Sequence, residues 1–231
     1  MKNFFRFLSG DLLINELVSV QSKIKFTVIM IPMMFIIILF SSLLQLLFVH
    51  WEIIDPIKSQ GMIPSYMKSM STFEIVLEIA LLAPLLEETA FRGPLQNNPL
   101  LFKVALVSLT YLIICRIADL NFYKLSLPTA GVLAISFLNL LISKKIIARI
   151  IYNLSKRIYR TYFILASAIA FGLWHYYNFD FSHSSFLTII ICLLPFTLNG
   201  LLFSYVAVKN GLLWSFILHT VNNLWPLILW L

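Results

Sequence analysis

The chain is 231 residues long, 60% hydrophobic and only 12% charged, with a net charge of +7. A soluble domain carries about 25% charged residues, so the composition excludes a soluble globular protein and implies an integral membrane one. The positive balance reads as basic segments on one side of a membrane rather than as a nucleic-acid surface. The two cysteines, Cys115 and Cys192, lie inside apolar runs, which argues for buried small residues and against a disulfide or metal framework.

In chain order, residues 1–23 do not read as a cleavable signal, because Asp11, Asn15 and Glu16 interrupt the apolar core. Leu8, Leu12, Leu13, Leu17, Val20 and Ile24 recur at helical spacing. They predict an amphipathic helix over 1–25 lying on the membrane, with Lys2, Arg6, Lys23 and Lys25 at the headgroups. The first span is expected over 26–49, with Trp51 as an interface anchor, and a loop over 52–70 follows. Further spans are expected over 71–93, 101–118, 125–143, 161–177 and 186–208, with the last running from the break at Lys209-Asn210-Gly211 to residue 231. The expected fold is an all-α polytopic transmembrane helical bundle of about seven spans, in which 26–231 form one membrane domain.

Charge orients the bundle. With the N-terminus inside, the inner segments hold Lys2, Arg6, Lys23, Lys25, Lys103, Lys209 and the basic residues of 144–160; the outer ones hold only Lys58, Lys68 and Lys124. That asymmetry predicts a cytoplasmic N-terminus. A composition rich in Ile, Phe, Lys and Asn fits a bacterium of low GC content, hence a bacterial plasma membrane.

Three polar islands interrupt this apolar background. The first is Glu87-Glu88 with Arg92. A charge at the centre of a membrane helix costs roughly 2.5–3.5 kcal/mol on insertion scales, so such groups are rare unless a site needs them. Glu88 and Arg92 are four apart and stack on one helical face as a pair. Glu87 is rotated about 100° away and stays free to act as a base. Pro84 loosens the helix before the island, and Gly93-Pro94 kinks or stops it after. The second island is Phe171-Gly172-Leu173-Trp174-His175; a lone histidine there is more often structural than catalytic, and Tyr176 and Tyr177 fit an interface belt. The third is His219-Thr220-Val221-Asn222-Asn223, in which His219 and Asn223 share a face. Both can donate to a developing oxyanion, and both equally serve as hydrogen-bond glue between helices. An acid pair, a histidine and a His-Asn pair on three spans together are the content of a hydrolytic site. Depth along each span sets Glu87 and His219 at about 9–14 Å and His175 at about 21 Å, so His175 fits least well.

These ordered motifs, Glu87-Glu88-x-x-x-Arg92, Phe171-x-x-x-His175 and His219-x-x-x-Asn223, resemble those of the CPBP intramembrane proteases, also called the Abi family. That family includes type II CAAX prenyl endopeptidases and bacterial bacteriocin-processing or self-immunity proteins. Phe91-Arg92-Gly93, Gly200, Tyr205, Gly211-Leu212 and Trp214 agree as flanks, and the resemblance covers about 75–230. The stretch from Arg92 to Phe171 is long for the family and leaves room for an inserted hairpin in spans three and four. The resemblance implies that Glu87 with His175 activates water and that His219 and Asn223 hold the oxyanion. Glu88 and Arg92 would support them. It implies no cofactor and no metal, and membrane-embedded or lipidated peptides as substrates within the lipid bilayer.

Two other readings compete. Glu, His and His can also ligate zinc, although no His-Glu-x-x-His helix is present. Intramembrane charges also mark ion pathways and ligand sites, so a non-enzymatic immunity or transport protein is the alternative from another class. On that reading Glu78, nine residues before Glu87 and on the opposite face of a regular helix, would matter as much as Glu87.

Overall fold

Serine and asparagine N-caps open most of the helices. A computed structural model describes residues 2–11, 19–56 and 70–230, and these are α-helical with short 3-10 and π turns. The helices are α1 (Lys2–Leu8), α2 (Val20–His50), α3 (Thr72–Val76), α4 (Ala83–Arg92), α5 (Pro99–Ile117), α6 (Leu127–Phe137), α7 (Lys144–Ser155), α8 (Arg157–Trp174), α9 (Phe186–Asn210) and α10 (Leu212–Trp230). Ser19, Ser71, Asn98, Ser126, Ser143 and Ser185 each accept from a first-turn amide, meeting donors that have no partner within their helix.

The expected amphipathic helix over 1–25 takes a different form. α1 ends at Leu8, and Gly10 follows at φ +73° against the Arg157 carbonyl, where a Cβ would collide. Phe7 is buried with Tyr205 and Ile164, so α1 packs onto the bundle. Val20 and Ile24 belong to α2, and Leu12, Leu13 and Leu17 lie outside the described residues. The expected loop is described only as far as residue 56 and again from 70.

Among the described residues α2, α5 and α9 are long and apolar enough to cross a bilayer, so the protein is integral to the membrane. A fourth crossing forms if Leu127–Leu141 and Lys144–Ser155, bent by 82°, make one broken span. The seven expected spans are therefore not all reached by this measure. The polar site residues lie on α4, on α10 and at the end of α8, outside these three helices. Cys115 and Cys192 are free and buried, as expected.

α9 is the central element, packed against α2, α8 and α10, while α4 packs against α5, α8 and α10. Their shared core holds Met34, Ala90, Phe91, Leu112, Phe171, Leu202, Phe203, Val206 and Leu218. Polar side chains clip the helices together: Ser167 donates to the Phe91 carbonyl at 2.7 Å, and Gln96 to the Ala207 carbonyl at 3.1 Å.

A π turn, Leu77–Leu82, joins α3 to α4. Within it the Ala83 amide reaches back five residues to the Glu78 carbonyl, so Ile79 loses its usual α-helical donor. The next donor in π register would be residue 84, a proline without an N–H. The Ile79 carbonyl is thus left for a partner from another helix. The wider turn also rotates Glu78 relative to Glu87 away from the straight-helix phase. Glu78 is buried.

Candidate active site

α4 and α10 bring two of the polar islands face to face. Along α10, Ser215, His219 and Asn223 recur every four residues on one face, and that face meets α4 and the π turn in antiparallel order.

Glu88 is fully engaged. Its Oε1 lies 3.1 Å from Arg92 Nη1 and accepts from His219 Nδ1 at 3.0 Å. Its Oε2 accepts from Ser215 Oγ at 2.5 Å. Arg92, wholly buried, also donates from Nη2 to the Gly200 carbonyl at 3.1 Å. Its guanidinium stacks over the Phe171 ring at 4.0 Å. A buried charge is tolerable only when paired and bonded in this way. A Cβ on Gly200 would meet Arg92 Nη2 at 3.2 Å and Phe171 Cδ1 at 2.9 Å, so glycine is what lets the guanidinium reach that carbonyl. The expected Glu88–Arg92 pair is present.

Glu87 points elsewhere, as its helical phase requires. It is buried, and its Oε2 has no hydrogen-bond partner among the described residues. The nearest ring nitrogen, His219 Nε2, is 3.8 Å away. That is too long for a direct hydrogen bond. Trp174, the last residue of α8, approaches the same carboxylate. His219 itself is 1% exposed and stacks on Phe203 with centroids 4.8 Å apart. Its Nδ1–H goes to Glu88, which fixes Nε2 as the atom facing Glu87.

His175 follows the end of α8, in a 3-10 turn. Its Nδ1 donates to the Phe171 carbonyl at 2.8 Å, and its ring stacks on Phe196 at 4.3 Å. It has no hydrogen bond or ion pair to Glu87 among the described residues; both its ring, at 4.8 Å, and that of His219, at 5.4 Å, pack edge-on with Phe171. Asn223 donates from Nδ2 to the orphaned Ile79 carbonyl at 2.9 Å and accepts at Oδ1 from Asn222 Nδ2 at 3.2 Å.

The structure therefore gathers Glu87, Glu88, Arg92 and His219 tightly. It sets Asn223 one turn further along the same face and His175 against the Phe171 ring that also touches His219. The sequence reading missed Ser215, although its position four residues before His219 was a usable signal. It also missed the Asn223–Ile79 bond, which depends on a π turn that no local pattern announces. Among the described residues, no group of three or more His, Cys, Asp or Glu side chains is arranged to hold a metal ion. Two clefts, of about 520 and 480 Å³, open beside the first turns of α8, and neither is lined by any of these site residues.

Residues 69–225 match the family described as type II CAAX prenyl endopeptidase Rce1-like. No curated protein and no solved structure matches the chain. The matched stretch includes all three islands and more than half of the chain.

Proposed function

The chain belongs to the type II CAAX prenyl endopeptidase Rce1-like family, and we propose that it hydrolyses peptide bonds of membrane-embedded or lipidated substrates by glutamate-activated water. The observation that carries this reading is the buried Glu87 Oε2, which lacks a partner while its neighbour Glu88 is bonded at both oxygens. A carboxylate with one unbonded oxygen beside a fully braced one fits a base next to its scaffold.

In the proposed reaction Glu87 takes a proton from water, and the water oxygen bonds to the scissile carbonyl carbon. His175 Nε2 orients that water, since its Nδ1–H is committed to Phe171. The carbonyl electron pair moves onto oxygen, and the new oxyanion accepts from the second amide hydrogen of Asn223 and from Nε2–H of His219, whose ring carries both protons in this scheme because Nδ1–H is already given to Glu88. Collapse breaks the C–N bond, and the proton held by Glu87 passes to the departing nitrogen. Glu88, Arg92 and Ser215 hold His219 in place. No metal or cofactor takes part in this scheme.

Membrane-bound peptide precursors, including bacteriocins, are the proposed substrates beside prenylated proteins, in a bacterial plasma membrane with the N-terminus cytoplasmic. The test is proteolysis by purified protein in liposomes, wild type beside Glu87→Gln. The panel holds hydrophobic and farnesylated peptides, with and without chelator. Cleavage lost in Glu87→Gln and indifferent to chelator is expected. Cleavage abolished by chelator overturns the metal-free scheme. Equal cleavage by Glu87→Gln overturns the role of Glu87.

A further inference from the structure

Asn222 and Asn223 are consecutive on α10, and adjacent helical residues do not normally face one another. Here their side chains are nonetheless joined, Asn222 Nδ2 donating to Asn223 Oδ1 at 3.2 Å. Asn223 in turn donates from Nδ2 to the Ile79 carbonyl at 2.9 Å. The direction of this chain is fixed from its far end. The Ile79 carbonyl can only accept, and neither the Ala83 amide, committed to Glu78, nor Pro84 can serve it. Asn223 must therefore turn its amide nitrogen toward the π turn, and its oxygen is left facing Asn222. Asn222 must then present a donor, because two amide oxygens face to face would repel.

The arrangement has a cost that shows it is not incidental. Turning its nitrogen to Asn223 leaves Asn222 Oδ1 buried without a partner. A buried acceptor left unbonded is unfavourable. The return is orientation: Asn223 spends one amide hydrogen on Ile79 and keeps the second on the face it shares with His219. Each donation polarises the next group, so the remaining Asn223 N–H becomes a stronger donor.

We infer that Asn222 is a positioning residue: its hydrogen bond to Asn223 Oδ1, with the Ile79 carbonyl at the other end, locks the Asn223 amide in the orientation that offers an N–H to the reacting carbonyl. This rests on the oxyanion role proposed for Asn223. Asn222 touches no reacting atom in this scheme and acts only through its neighbour.

The test compares kcat and KM on an internally quenched farnesylated peptide in liposomes for Asn222→Leu, Asn222→Ala, Asn222→Gln and Asn223→Ala. Asn223→Ala is expected to lower kcat by about 10²–10³-fold, as loss of one oxyanion donor does. Asn222→Leu, of similar shape but without a donor, lowers kcat about tenfold with KM within about twofold, the pattern of an interaction felt only in the transition state. Asn222→Gln keeps the amide donor and recovers most of kcat. If the leucine variant does not fold, Asn222→Ala carries the same expectation without added apolar bulk. Wild-type kcat in the Asn222 variants, with Asn223→Ala impaired, overturns the positioning role and leaves the oxyanion role standing. A rise in KM alone in the Asn222 variants overturns it as well. Wild-type kcat in Asn223→Ala overturns the oxyanion role itself.

Discussion

His219 Nδ1 lies 3.0 Å from Glu88 Oε1, while the Nε2 of the same ring lies 3.8 Å from Glu87 Oε2. One imidazole thus spans two neighbouring carboxylates, bonded to the first and merely close to the second. The division of labour between the glutamates follows from that asymmetry, and the first prediction tests it.

Glu87→Gln is expected to abolish cleavage while leaving the protein folded, because Glu87 Oε2 has no hydrogen bond to lose. Glu78→Gln, in the π turn and outside the three motifs, is expected to keep activity within about threefold of wild type, a change under 1 kcal/mol in barrier. Liposome proteolysis of the two variants side by side checks this. Equal losses would favour a transport or immunity role for the intramembrane acids.

Arg92→Ala is expected to destabilise the fold by about 3–5 kcal/mol, since it strands Glu88 as a buried charge without its cation. Arg92→Lys should rescue little. A lysine cannot both pair with Glu88 and reach the Gly200 carbonyl while stacking flat on Phe171. Thermal unfolding in detergent measures both.

Ser215→Ala removes the donor to Glu88 Oε2 and leaves that oxygen buried and unbonded. A loss of about 1–3 kcal/mol in stability is expected. A fall in kcat should accompany it, because Glu88 orients His219. An unchanged melting temperature would mean that the serine is replaceable by water.

Gly172→Ala tests the contact between α8 and α9. A Cβ there would collide with Thr197 Oγ1 and approach its Cβ at 3.1 Å. Overpacking of this kind typically costs about 1–3 kcal/mol. Adding Thr197→Ala should restore part of that loss, because only the oxygen clash is removed. Melting temperatures of the single and double variants decide it.

Much of this protein was legible in the sequence. Sparse charge and long apolar runs determined a membrane protein, because no other solvent suits such a surface. Spacing alone paired Glu88 with Arg92 and turned Glu87 away, since helical phase is local and the stretch Ala83–Arg92 is a regular helix. The family followed from the order of the motifs and is borne out by the match over 69–225. What only the tertiary structure decided lies where helices meet or lose regularity. The π turn moved Glu78 off its straight-helix phase and freed the Ile79 carbonyl, which drew Asn223 across from α10. Phe171 came to touch both His175 and His219, and Ser215 became the second side-chain hydrogen-bond donor to Glu88. The reason is physical. A residue's phase on its own helix is fixed by local geometry. The partner it finds is fixed by how two helices dock and by which backbone groups that docking leaves unsatisfied.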